Sequence, residues 1–414
     1  RYKGERLGAC TDCRRFWAQY RAGTISQQEI DQIEGNLAVT SGTCAVMGTA
    51  SSMAVIAETL GVMLPNTASI PAVHADRLRA SEQTGALAAK MAIQGGPKLE
   101  QLITEKSVEN ALRVLLGVSG STNAMIHLTA IAGRAGVEVD LKRFNELSDE
   151  TPVLVDLKPV GTGYMEDFHA AGGLDGVLRA LASQLNLQTL DVTGQNLEQR
   201  LKQEQAETTD LSVIRNTQNP VDAQGGLIAL HGTLAPEGAI LKRAAATSSL
   251  LEHEGRAVVF SSLEDLAARI DSPDLDVEAE DILVLQNAGP RSPSGMPEAG
   301  YLPIPKKLAK AGVKDMVRIS DARMSGTAFG TIVLHVTPEA DLGGPLALVQ
   351  NGDRIRLSAA AKTIDLLVTP EELERRRCAL PPSSTPPSRG YRKLYHDTIL
   401  PAPQGCDFDF LVPN

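Results

Sequence analysis

The chain has 414 residues, 43% hydrophobic and 22% charged, which is material for two or three globular domains with apolar cores. Aromatic residues make up 3% and the formal net charge is −10, a balance that argues against base-stacking nucleic-acid modules and against a polyanion-binding surface. No apolar run approaches the ~20 residues that span a bilayer, and no secretory signal opens the chain.

The opening at Arg1 reads as mid-domain sequence, so a fragment of a cytoplasmic protein is expected, with no membrane partner. The first half predicts helices alternating with short strands. Ser26 and Glu29 fit a capping box that opens a helix. A second helix is expected from about Thr49 to Leu60, stopping at Gly61. A third covers Ser107 to Leu116. A fourth follows Gly120–Asn123, with Met125, Leu128, Ala132 and Ala135 on one face. An apolar helix covers roughly Leu174 to Leu185.

Gly194 to Gln224 is polar and turn-rich and marks a domain boundary. Short β runs follow: Leu227–His231, Ala257–Phe260, Ile282–Gln286, Met316–Ile319, Thr331–Val336, Arg354–Ser358 and Thr363–Val368. Their regular spacing predicts a barrel or sandwich. Ser262 looks like a helix start. Pro381 to Ser388 is a Pro/Ser-rich connector. The tail after it carries Tyr391, Tyr395, Phe408 and Phe410 and is expected to pack back on the body. The domains expected are 1–206, 207–378 and a connector with tail at 379–414.

Five cysteines, Cys10, Cys13, Cys44, Cys378 and Cys406, are too few and too scattered for a disulfide framework. Cys44 lies in a glycine-flanked loop before a helix, where free N–H groups favour a thiolate; a small buried cysteine before a core helix fits the same pattern. Cys10-Thr11-Asp12-Cys13 is a CxxC, a pair that can be redox-active or half of a zinc site, but neither a second CxxC nor a His pair at finger spacing accompanies it. Cys378 and Cys406 read as incidental.

Three further segments can carry chemistry. Gly295-Met296-Pro297-Glu298 offers a carboxylate in a Gly/Pro loop, suited to a hard cation or to solvent. Asp321-Ala322-Arg323-Met324-Ser325-Gly326-Thr327 follows an apolar strand and places a hydroxyl beside Arg and Gly. It lacks the glycine two residues before the serine that a nucleophile elbow needs. Gly120-Ser121-Thr122-Asn123 is an anion cradle or an ordinary helix cap.

Taken in order, these segments resemble the dihydroxy-acid dehydratase and 6-phosphogluconate dehydratase family over nearly the whole chain. Thr43-Cys44 through Met53 is similar to that family's cysteine loop. Ser119 through Ala124, Leu234 through Ala239, Gly295 through Glu298 and Ser320 through Gly326 are similar to its other landmarks. The Asp-Ala-Arg-Met-Ser-Gly-Thr form resembles the sugar-acid (aldonate) dehydratases. Branched-chain biosynthetic members carry Gly and Phe where this chain has Ala322 and Met324. The tail from Gly390 to Phe410 resembles the aldonate branch as well.

The resemblance implies an α/β fold: an α/β/α N-terminal domain, incomplete here, followed by a β-barrel-like C-terminal domain. It implies a hydro-lyase that turns a 2,3-dihydroxy sugar acid into a 2-keto-3-deoxy acid, using a [2Fe–2S] cluster and Mg²⁺. By resemblance Cys44 is a cluster ligand and Glu298 a Mg²⁺ ligand. Ser325 is the base, helped by Thr327. Ser121, Thr122, Asn123 and Arg323 hold the substrate. The remaining metal ligands are expected upstream of Arg1, so the chain alone is expected to be inactive. The CxxC departs from the family and is expected to be dispensable. Relatives form homodimers or homotetramers. The alternatives are a branched-chain dihydroxy-acid dehydratase and an inactive truncated remnant.

Overall fold

The computed structural model describes residues 1–38, 40–203, 210–380 and 386–413. The expected boundary at 206/207 lies outside these residues, and so does 381–385 of the expected connector. The chain divides into two compact units. One comprises Arg1–Cys13 and Ile33–Gly226, the other Arg14–Gln32 and Leu227–Asn414.

The first unit is helical. Among the described residues it holds no named strand, only isolated bridges such as Val153↔Asp222, Val155↔Ile214 and Leu157↔Gly163. The expected alternation of helix and strand is therefore corrected for this half. The extended run around Leu154 changes its pairing partner every two residues, so no ladder builds up.

Its core helices follow their sequence signals. Thr104 caps the helix Glu105–Gly117 by accepting from the Ser107 N–H at 3.3 Å. Val108, Ala111, Leu112 and Leu115 are buried at helical spacing. This helix packs against Thr49–Thr59. Gly61 ends the latter with φ +81°, and a Cβ there would sit 2.1 Å from the Leu190 carbonyl oxygen. Only glycine fits that turn. One element had no counterpart in the sequence reading. The helix Ala75–Gln94 has 20 residues and buries only Ala80. Leu78 and Ile93 on it are 75% and 84% exposed.

The second unit is built on an eight-stranded sheet of order β1-β2-β6-β5-β4-β3-β7-β8. The strands are β1 (Ile228–Leu230), β2 (Gly238–Leu241), β3 (Glu252–Phe260), β4 (Ile282–Leu285), β5 (Arg318–Ser320), β6 (Ile332–Thr337), β7 (Arg354–Ser358) and β8 (Thr363–Leu366). The central β3, β4, β5 and β6 run parallel, and antiparallel strands flank them on both sides. His231, just past β1, bonds through its backbone to Lys362, just before β8, and to Ile364 within it. The sheet is thus nearly closed into a barrel.

Alternation sorts the side chains. Val259, Val284, Ile319 and Val333 point to one apolar core with Leu241 and Ile355. Val258, Phe260, Leu283 and Leu285 point the other way, toward Leu266 and Ile270. Ser262 caps the helix Leu263–Arg269 through the Asp265 N–H, as its sequence predicts. No helix among the described residues is long and apolar enough to cross a membrane.

Candidate functional site

In the first unit the Cys44 loop is pinned on both sides. The Met47 N–H donates to the Lys158 carbonyl at 3.0 Å, and the Met165 N–H donates to that of Ala45 at 2.8 Å. Burial pushes the Cys44 thiol up, while the backbone N–H groups of Val46 and Cys10, directed at its sulfur, pull the other way. The Cys10 N–H belongs to the first turn of the helix Ala9–Ala22, where donors lack intrahelical partners. Sulfur held by two backbone donors fits a metal-bound thiolate. The Cys10 thiol also reaches that of Cys44, a neighbour that the sequence reading set apart.

Beside this loop lies a polar cluster that sequence reasoning missed. Asp12 is buried and accepts from the Gly8 N–H at 2.6 Å and from Lys158 Nζ at 3.1 Å. Lys158 also donates to the Tyr164 hydroxyl at 2.7 Å. Burial opposes the Lys158 charge, but these two bonds outweigh it and raise its pKa. The position of Asp12 inside the CxxC was the one available signal.

Ser121, Thr122 and Asn123 are fully buried. Ser121 Oγ lies 2.9 Å from Thr49 Oγ1, and Asn123 Nδ2 donates to the same Thr49 oxygen at 3.2 Å. The Ser121 N–H donates to Ser52 Oγ at 2.9 Å. These bonds fasten the start of the helix Asn123–Arg134 to the helix that follows Cys44.

In the second unit two loops are laced together. Arg323 donates from Nε to the Met296 carbonyl at 2.8 Å, and the Gly300 N–H donates to the Arg323 carbonyl at 2.9 Å. The Arg323 guanidinium lies 3.9 Å from the Glu298 carboxylate, whose side chain is 43% exposed. Ser325 Oγ and Thr327 Oγ1 are 2.8 Å apart. The structure therefore brings Glu298, Arg323, Ser325 and Thr327 onto two adjoining loops.

Buried acids anchor these loops. Asp321 accepts from the Ala288 N–H at 3.0 Å and the Ala340 N–H at 2.9 Å, and burial still pushes it up to about 6. Glu339 accepts from the Arg291 N–H at 2.9 Å and is pushed by burial up to about 8. Neither was singled out from sequence, because an isolated acid carries no pattern. Cys406, read there as incidental, lies 3.5 Å from Met296 Sδ, and burial pushes its thiol up to about 12. Tyr395 of the tail lies 3.6 Å from where a Cβ on Gly295 would be.

Among the described residues no three His, Cys, Asp or Glu side chains gather as a metal centre would need. Cys44 fits one thiolate of a cluster. Glu298 offers one hard oxygen donor of the several that Mg²⁺ requires. A cavity of about 1050 Å³, lined by Ser261, Asn287, Arg291, Asp341 and His396 among others, includes none of the candidate site residues picked from sequence.

Comparison with known proteins assigns the chain. The N-terminal domain of the dihydroxy-acid/6-phosphogluconate dehydratases matches residues 3–200, and the C-terminal domain of the same family matches residues 212–406. An L-arabonate dehydratase of Azospirillum brasilense is 45% identical, covering 99% of this chain and 71% of its own length. A 6-deoxy-6-sulfo-D-gluconate dehydratase of Pseudomonas putida is 42% identical and an L-arabinonate dehydratase of Rhizobium leguminosarum bv. trifolii 41%, with the same shares. The chain belongs to the dihydroxy-acid/6-phosphogluconate dehydratase family, and its similar relatives include dehydratases of sugar acids.

Proposed function

We propose that this chain dehydrates an aldonate, a 2,3-dihydroxy sugar acid, to the 2-keto-3-deoxy acid. The observation that carries the reading is the Ser325–Thr327 hydroxyl pair, 2.8 Å apart, on a loop laced through Arg323 to the loop of Glu298. The proton on C2 of an aldonate is weakly acidic, so its removal needs a strong, well-held base. Ser325 Oγ, its own proton released to solvent beforehand, takes the C2 proton as an alkoxide and passes it to the 3-hydroxyl, which leaves as water. Thr327 fixes its rotamer and donates to it once charged. The Arg323 guanidinium adds positive charge beside the pair and orients the acid. Ser121, Thr122 and Asn123 act in this reading through the helix start they build. When bound, a [2Fe–2S] cluster on Cys44 would supply a Lewis-acidic iron for the leaving 3-hydroxyl, and Mg²⁺ at Glu298 would offset the charge on the substrate's carboxylate.

The names of the relatives support pentonates and hexonates as the substrate class. The test is a turnover panel of aldonates against 2,3-dihydroxyisovalerate, with the keto acid product measured directly. Turnover of the branched-chain acid alone would replace this reading with the biosynthetic one. A homo-oligomer is part of the proposal. Light scattering on the purified protein tests it.

A further inference from the structure

Lys242 follows β2 and is 2% exposed. Its Nζ is buried without a hydrogen-bond partner. Burial alone lowers its amine to about 7. Leaving an amine unpaired in the interior is unfavourable, and an apolar side chain would avoid that cost.

The sheet register says where Lys242 belongs. Leu241 pairs with Ile228 and Val333, and all three face the barrel core. Ile240 pairs with Leu334 and so faces the opposite side. Leu334 packs there with Met324, Ala328 and Ile332. Lys242 leaves the strand with φ −85° and ψ 84°, and alternation puts it on the same side as Ile240, opposite Ile332. Met324 and Ala328 are the residues that bracket Ser325–Thr327. A buried amine with no acceptor therefore lies on the sheet face against which Met324 and Ala328, the chain neighbours of the hydroxyl pair, pack.

We propose that Lys242 is an oxyanion receptor on this face, serving the carboxylate of the bound sugar acid or the oxyanion that forms when Ser325 acts. Both sources present one chemistry, a negatively charged oxygen that a lysine ammonium can meet. The inference rests on the sugar-acid reading above.

The test is Lys242→Met in the intact protein, compared with wild type for melting temperature, turnover of L-arabonate, and calorimetric binding of L-arabonate and the neutral alditol L-arabinitol. Methionine keeps the length and removes the unpaired amine, so the melting temperature should hold or rise. If the ligand carboxylate is the occupant, affinity for the acid falls at least about ten-fold, worth ~1.4 kcal/mol, while the alditol binds as before. If the oxyanion of the reaction is the occupant, acid binding is kept and kcat falls about 10²–10³-fold. Unchanged binding and turnover would overturn the proposal. So would a loss of affinity for acid and alditol alike, or a marked fall in melting temperature. Wild type that neither binds nor dehydrates any aldonate sinks the functional reading first, before a variant is made, and Lys242 loses its ligand with it.

Discussion

Arg323 donates from Nε to the main-chain carbonyl of Met296 at 2.8 Å. Met296 has φ +54°, and its carbonyl direction is set by that left-handed turn. One guanidinium thus ties the serine loop to the loop of Glu298.

Lysine at position 323 keeps the charge but loses the planar fork that serves a carbonyl and a carboxylate together. Arg323→Lys should weaken the tie by about 1.5–3 kcal/mol, the worth of a charged hydrogen bond. The expected outcome is a drop in kcat/KM of aldonate turnover of about ten-fold or more, with little change in melting temperature. Steady-state kinetics of the two proteins checks it.

Ser325 and Thr327 should separate by size of effect. Ser325→Ala removes the base and should lower kcat by orders of magnitude while iron content stays at the wild-type level. Thr327→Val removes a donor to that base and should cost about 10²–10³-fold at most. Equal kcat for Ser325→Ala and wild type would remove the serine from the mechanism.

Cys44 and Cys10 should behave unequally. Cys44→Ser replaces the thiolate and should abolish cluster assembly, read as loss of visible absorption and of iron. Cys10→Ser keeps the backbone N–H that points at the Cys44 sulfur. Its iron content should stay near wild type, and that result would leave the Cys10 thiol dispensable. Loss of iron in Cys10→Ser would make Cys10 a ligand beside Cys44.

Glu339 predicts a pH dependence of stability. Its carboxyl is raised from 4.5 to about 8 by burial, so the folded state holds a proton that the unfolded state releases. Stability from this group is fully present below pH 4.5 and is lost as pH rises through about 8. Asp321, raised to about 6, adds a smaller loss of the same sign between 3.8 and 6. Glu339→Gln keeps the shape and removes the titration. Urea unfolding from pH 5 to 8 should show a falling wild-type stability and a flatter curve for Glu339→Gln.

Much of the barrel was legible in the sequence because short apolar runs between Gly, Asp and Pro are a strong local signal. Strand β2 escaped it. Gly-Ala-Ile-Leu is four residues long and starts on a glycine with φ +114°, so neither length nor alternation marks it. The helix Ala75–Gln94 escaped because a helix exposed on nearly every face has no apolar stripe to read. Motifs singled out Cys44, Glu298 and Ser325 as candidates. Lys158 and Glu339 were not singled out and Cys406 was set aside, since each owes its environment to a partner far away in the chain.

The division of the chain has a consequence for how it is made. Arg14–Gln32 belongs with the barrel, where Arg21 meets Asp271 and the Arg14 guanidinium lies over the Tyr301 ring at 4.6 Å. On the ribosome that segment emerges before nearly all of the first unit, while its partners emerge only after that unit is complete. The barrel therefore cannot mature as a self-contained stretch late in synthesis. An early piece of chain must wait, unsatisfied, while roughly two hundred residues are added, at ~5–20 residues per second. A shortened gene beginning at Leu227 would spare that wait and forfeit both contacts.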